Sequence, residues 1–445
     1  MLKEKPRFFN ENNHRNDEDQ EIFSRQQYVL QDPEKIYELM NSLDPSDPED
    51  HALSYLLFIS QNQEFDIPNF DLLANILIFL DPNQGLNPIQ INKALELILQ
   101  LLAFKKKETI LLFFKRPDSI LTIWHYFPLT KASKIIAAIS EFYPDIFSIL
   151  QDHDCFTRVQ ECLKSNPSDC DSALIFLSSL SASPEFASYV PFLISFCISV
   201  DDDNLLSDAL QCLSRGILKN QSILPILFNN SEFPHIFEMN LTDEFLVGDI
   251  FNILKSIIQI THSFSFLSQL ETALNAILFI LNSELYNIAL DLLSLRFPSN
   301  PEKQQLGQPF EELDLSGFID YPAFFQALFS ILCNDNFDNL NNKFKAFNIL
   351  LNAISQGNDS LLESLLENGL LDICEELVES SPDELHPKIA NLFVLIKSYA
   401  LKIQSEELIN QLNSLSSFQY IISYLENIDN ENAQAFYKVL NDNVL

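Results

Sequence analysis

The densest group of chemistry-bearing side chains is His153, Cys155, Cys162 and Cys170. Imidazole and thiolate are zinc ligands, but neither a CxxC nor an HxxxH spacing occurs, so buried thiols on helix faces are the plainer reading. Asp152 and Asp154 flank His153, and Asp201, Asp202 and Asp203 run together. Paired carboxylates can do acid–base work or hold calcium. The first set falls in an expected inter-helix turn, and the triplet falls just ahead of a helix, where acids suit the positive N-terminal end. Capping is therefore the expected role. Lys105, Lys106 and Lys107, with Lys115 and Arg116, form the strong basic cluster, which reads as a contact for phosphate or acidic partners, a localisation signal or a solvated turn. Glu363, Glu367, Glu375, Glu376 and Glu379 build an acidic face that would steer a basic peptide, or that is simply solvated.

Nucleotide chemistry needs a glycine loop. The glycines stand at 85, 216, 248, 307, 317, 357 and 369, so no GxxxxGK, GxGxxG or GxSxG exists. We expect no enzyme and no cofactor. Polar residues within apolar helical runs have less packing reason to be there. Lys134, Gln211, Arg215, Asn348 and Asn352 are the candidate partner-binding residues on that ground.

The elements that must position them are helices. Leu361, Leu362, Leu365, Leu366 and Leu370 follow the i, i+3, i+4 rule, as do Leu95, Ile98, Leu99 and Leu102. One pattern, a small residue followed by a dense apolar run, recurs around Ser54, Leu97, Ile136, Phe176, Cys212, Ile253, Asp291, Asn348, Val394 and Tyr437. The spacings run from 36 to 46 residues, with one of 57. Helical repeats of the armadillo and HEAT classes recur at about 40–47 residues. The long spacing contains residues 298–322, which hold four prolines, two of the glycines and an acidic run. Removing roughly 20 residues there restores the period, and a loop of that length signals function or disorder.

Composition agrees. Seven glycines in 445 residues fall far below the usual ~7%, and sheet folds spend glycine at turns. Apolar residues make up 47% of the chain, so it is not disordered by composition. The 38 phenylalanines beside one tryptophan read as core filling. Acids outnumber bases 62 to 27 for a net charge of −35, which repels nucleic acid and suits a basic partner. The N-terminus has no apolar signal core, and the longest apolar stretch, Tyr189–Val200, is too short for the ~20 residues of a membrane span. Seven scattered cysteines fit reduced thiols. A cytoplasmic or nuclear protein, neither secreted nor membrane-spanning, is the expectation.

Residues 344–401 resemble an armadillo repeat: a helix ending near NAIS, a short loop, then ENGLLDICEEL. Gly369 falls where the family's glycine separates the second and third helices, and Ser381 ahead of Pro382 suits a cap. Residues 36–102 and 348–358 resemble repeats of the importin-α adaptors, which carry nuclear localisation signals. That resemblance implies a ladder of Trp and Asn four residues apart on each inner helix. The positions in register are Leu95 and Leu99, Lys134 and Ala138, Ile175 and Ser179, Gln211 and Arg215, and Asn348 and Asn352. Of these only Asn352 matches, and Trp124 falls off the ladder. Residues 1–30 stand where the family has an importin-β-binding segment, with Lys3, Lys5, Arg7, Arg15 and Arg25 dispersed among acids.

The sequence thus predicts an all-α protein, an armadillo-like α-solenoid (a right-handed superhelix) of about ten helical repeats. Residues 1–30 are expected to be disordered and 31–445 to form a single array with the loop insertion at 298–322. The expected function is a protein-interaction scaffold that binds an extended basic protein or peptide segment along an acidic groove. An importin-α-like transport adaptor is its specific form. A regulatory or adaptor subunit of a kinase, a phosphatase or another complex is the alternative. No direct nucleic-acid contact and no membrane insertion are expected.

Overall fold

The structure is a computed structural model. It describes residues 38–39, 41–44, 51–62, 75–77, 80–82, 87–103, 117–143, 145–239, 241–261, 266, 270–298, 310–312, 322–333, 340–380, 385–428 and 431–441. The segment 1–30, the basic cluster from Lys105 to Arg116, the Ser381–Pro382 step and most of the 298–322 loop lie outside them.

Each of the ten recurring motifs forms a helix. We label them α1 (His51–Asn62), α2 (Pro88–Ala103), α3 (Thr130–Ser140), α4 (Pro167–Leu180), α5 (Asp203–Lys219), α6 (Glu244–Thr261), α7 (Tyr286–Leu293), α8 (Leu340–Ser355), α9 (His386–Lys402) and α10 (Glu431–Asn441). Shorter helices intervene, for example Asp359–Glu367 and Leu370–Ser380 between α8 and α9. The chain divides into two compact units, Met1–Ser179 and Leu180–Leu445. In the first, α1 packs on α2 and α2 on α3. In the second, α5 through α10 pack in chain order, each on the next. This is the arrangement of a helical-repeat solenoid, in which each unit hides its apolar face against its neighbours.

Local chemistry explains the boundaries. Asp202, the middle acid of the triplet, caps α5: its carboxylate accepts from the amides of Asn204 (2.9 Å) and Leu205 (3.1 Å). Asp243 does the same ahead of α6, for Phe245 and Leu246. Asn358 and Ser405 cap Asp359–Glu367 and Glu406–Ser414. Pro88, Pro167 and Pro322 open their helices, where the missing N–H costs nothing. Gly369 has φ +96° between Asp359–Glu367 and Leu370–Ser380, the left-handed turn expected of it.

Phenylalanine fills the core. Phe176 is fully buried in the first unit, as are Phe186, Phe233, Phe237, Phe324, Phe347, Phe393 and Phe418 in the second. Trp124 belongs to this inventory too. It is buried in the helix Pro117–His125, stacks on Phe127 at 4.4 Å and lies under the Arg158 guanidinium at 4.7 Å. One feature departs from the all-helical expectation. Arg296–Pro298 pairs antiparallel with Phe310–Glu312, a short ladder between α7 and α8 within the long spacing.

Candidate partner-binding face

The five candidate residues all fall on labelled helices: Lys134 on α3, Gln211 and Arg215 on α5, and Asn348 and Asn352 on α8. Lys134, Gln211, Asn348 and Asn352 are half-buried, and Arg215 is exposed. Two of them have a role that the sequence did not reveal. Asn348 Oδ1 accepts a hydrogen bond from Lys388 Nζ at 2.6 Å, from α9 to α8. Gln211 Nε2 donates to Ser207 Oγ at 3.2 Å and reaches Asp249 Oδ2 at 3.5 Å, from α5 to α6. Asn352 Oδ1 accepts from Gln356 Nε2 at 3.1 Å.

Such inter-repeat ties are general. Lys93 donates to Ser54 at 2.7 Å, Lys131 pairs with Glu96 at 2.7 Å, and Thr130 shares a hydrogen bond with Ser172 at 3.1 Å. In the second unit Lys343 pairs with Glu376 at 2.6 Å, Lys345 with Asp291, and Lys402 with Asp359. Lys397, 5% exposed, donates to the Leu440 carbonyl at 2.7 Å near the C-terminal end of α10, where a cation suits the helix dipole.

The charges on these helices are unevenly placed. Helices α8 and α9 carry Lys343, Lys345, Lys388, Lys397 and Lys402 and no Asp or Glu. Helix α3 carries Lys131 and Lys134 and no acid. The acids of the α8–α9 repeat sit instead on its shorter helices, as Asp359, Glu363, Glu367, Asp372, Glu375, Glu376 and Glu379. The scarce lysines concentrate on the repeat helices because a long flexible cation can reach an acceptor in the neighbouring repeat.

The acidic face is itself partly structural. The Glu375 carboxylate accepts from the Ser416 amide (2.7 Å), the Ser416 hydroxyl (2.9 Å) and the Ser417 amide (3.4 Å), which caps the helix Ser416–Glu426 from a neighbouring helix. The Ser416 hydroxyl bond, with the amides, holds its carboxyl below the ordinary carboxylate value. Glu363, Glu367 and Glu379 are exposed. Cys155, Cys162 and Cys170 are buried thiols that form no disulfide, and His153 is exposed. Among the described residues no group of three His, Cys, Asp or Glu is placed to hold a metal. Asp154 turns the chain into the helix Cys155–Cys162 with φ 53° and makes no side-chain cap bond, so the capping expected there is not its role.

An exposed polar face lies across α5 and α6. The two helices are locked by Ser207 on Asp249, by Ser214 with Ser256 at 2.8 Å, and by Ser214 on the Asn252 carbonyl at 3.2 Å. These contacts set the register. Arg215 follows Ser214 and Lys255 precedes Ser256, which turns both cations to the same side. Gln211 and Asn252 lie one turn before them. Asn252, Lys255 and Gln259 are exposed, and Phe245 is 82% exposed. The sequence reading missed Asn252 and Lys255. The signal was available, because a step of one repeat from Gln211 and Arg215 lands on them.

A cleft of about 490 Å³ opens elsewhere in the second unit, between the helices Pro322–Leu332 and Asp359–Glu367. Phe325, Phe329, Leu361 and Leu365 form its apolar wall, with Asn358 and Asn368 at the rim.

No protein-family model matches the chain and no curated protein is similar to it in sequence. Solved structures are similar in fold. An engineered protein aligns with a TM-score of 0.59 at 13% identity, over 91% of this chain and 97% of its own. A chain from a structure of the interaction between cadherin and beta-catenin aligns with a TM-score of 0.54 at 12% identity, over 91% and 85%. Kap121p bound to Pho4p aligns at 15% identity with a TM-score of 0.42, over 92% of this chain and 41% of its own, so the chain spans less than half of that protein. At these identities the likeness is one of fold: the chain is an all-α, armadillo-like helical-repeat array.

Proposed function

We propose that the chain is a protein-interaction scaffold that binds an extended segment of a partner protein across the exposed faces of its repeat helices. One observation carries this reading: α5 and α6 present matching side chains one repeat apart, Gln211 with Asn252 and Arg215 with Lys255, on one face. Amide side chains donate and accept, so they satisfy the N–H and C=O groups of an extended backbone. The cross-helix bonds fix the two helices before a partner arrives, which lowers the ordering cost of binding. The similar beta-catenin fold comes from a structure of an interaction with cadherin, a role of the same kind.

A transport adaptor for basic nuclear signals is the finer form of this reading. It rests on Asn352, and the lysines of α8 and α9 weigh against a basic cargo there. The regulatory-subunit alternative is favoured by the cleft beside Phe325 and Phe329, which lies off the repeat-helix faces. A photo-crosslinking amino acid at position 252 or at position 364 separates the two. With partner captured from cell extract, crosslinks to a short linear segment from position 252 support the scaffold. Crosslinks from position 364 alone support the alternative.

A further inference from the structure

Gly248 lies inside α6, and no neighbour among the described residues gives a reason for a glycine there. A glycine inside a helix destabilises it relative to alanine and persists where a turn or a close approach requires it. Other glycines have such reasons. A Cβ on Gly216 would lie 2.1 Å from Phe186 Cε1, and Gly357 and Gly369 have φ of +88° and +96°. A Cβ on Gly248 meets nothing within 4 Å among the described residues, and its φ lies outside the left-handed region. It sits one turn before Asn252 and one turn after Phe245, on the face that carries Arg215 and Lys255. The Phe245 ring, one turn before Gly248, is 82% exposed to water and offers an apolar surface beside it.

We propose that the α5–α6 face is a site for an extended acidic segment of a partner protein, whose backbone crosses α6 over Gly248. This rests on the scaffold reading above and assigns the site its ligand chemistry. The bare glycine lets the partner's main chain approach the helix. Phe245 takes an apolar side chain of the segment, and the Asn252 amide meets its backbone. Arg215 and Lys255 lie one turn further on and receive its carboxylates. Asp208 of α5 and Glu244 of α6 are exposed at the opposite end of this face. They repel acids there, so the segment is acidic at one end and apolar at the other, and its direction is fixed.

The test is selection of a random twelve-residue peptide display library on the full chain, alongside the Arg215→Glu/Lys255→Glu double variant and Gly248→Leu. All three are first checked for equal helicity and for melting no lower than that of the parent. The expected result is an acidic consensus with an apolar residue toward one end. Affinity should fall about tenfold or more on charge reversal and by a similar factor with Gly248→Leu. Enrichment of a basic consensus overturns the inference. So does a consensus that both variants bind as tightly as the parent, although the scaffold reading then stands with its site elsewhere. Failure to enrich any linear peptide overturns both.

Discussion

Lys388 Nζ lies 2.6 Å from Asn348 Oδ1, across 40 positions of sequence and one step of the array. The contact joins α9 to α8 at half-buried positions. Removing either partner should cost about 0.5–1.5 kcal/mol of stability. A double-mutant cycle with Lys388→Met and Asn348→Ala, read by chemical denaturation, should return a coupling energy well above zero. Additive effects would mean that the two side chains act separately.

The Lys343–Glu376 pair is asymmetric, because the lysine side chain is 7% exposed and the glutamate 40%. Glu376→Ala leaves a buried ammonium without its carboxylate and should destabilise by about 1–3 kcal/mol. Lys343→Met keeps an apolar stem in the same space and should cost less. The opposite order in melting experiments would show that the ammonium reaches water instead.

Glu375 predicts a pH dependence. Its folded carboxyl titrates below the ordinary value of 4.5, chiefly through the Ser416 hydroxyl bond. A carboxyl depressed on folding stabilises the protein above its unfolded pKa and loses that contribution as pH falls through the folded value. The parent should therefore lose stability on acidification below about pH 4.5 more steeply than Glu375→Gln, which begins less stable at neutral pH. Parallel curves for the two proteins would remove Glu375 as a cap.

Two glycines should respond to alanine with opposite signs. Gly216→Ala drives a methyl into the buried Phe186 ring and should destabilise by about 1–3 kcal/mol. Gly248→Ala adds a methyl in open space and should stabilise α6 by about 0.5–1 kcal/mol. Thermal melts of the two variants decide the matter, and a loss at Gly248 would reveal an internal requirement for it.

The cysteines should separate by burial. Cys333 is exposed, and the other six are buried. Burial pushes Cys162 up to about 11 and Cys212 and Cys374 up to about 12, away from the reactive thiolate. Native protein at neutral pH should take up one equivalent of a thiol reagent quickly, at Cys333, and the remaining six only in denaturant. Mass spectrometry of the adducts reads this directly, and rapid labelling at Cys374 would contradict the packing of Leu370–Ser380.

Much of the fold was legible because apolar spacing is a local property. The ten recurring motifs are ten helices, Asp202 is a cap, and Gly369 is a left-handed turn, each readable within a few neighbouring residues. The ties were not legible. Whether Lys388 meets Asn348, or Glu375 reaches Ser416, depends on the lateral register of helices about 40 residues apart, and a period known to within a few residues leaves that open by a full helical turn. Net charge is silent on placement for a related reason. It sums the whole chain, whereas the repeat helices α8 and α9 took the lysines and left the acids to the shorter helices between them.

The ladder joining Arg296–Pro298 to Phe310–Glu312 returns the chain beside the point where it left, and Lys345 still reaches back to Asp291 on the far side of the excursion. The ladder holds the two ends of the intervening stretch side by side, which uncouples the spacing of those ends from its length. Lengthening that stretch costs only about 0.6 kcal/mol for each doubling. The position is a natural port for grafting a reporter or an entire foreign module without disturbing the pitch of the helices that flank it.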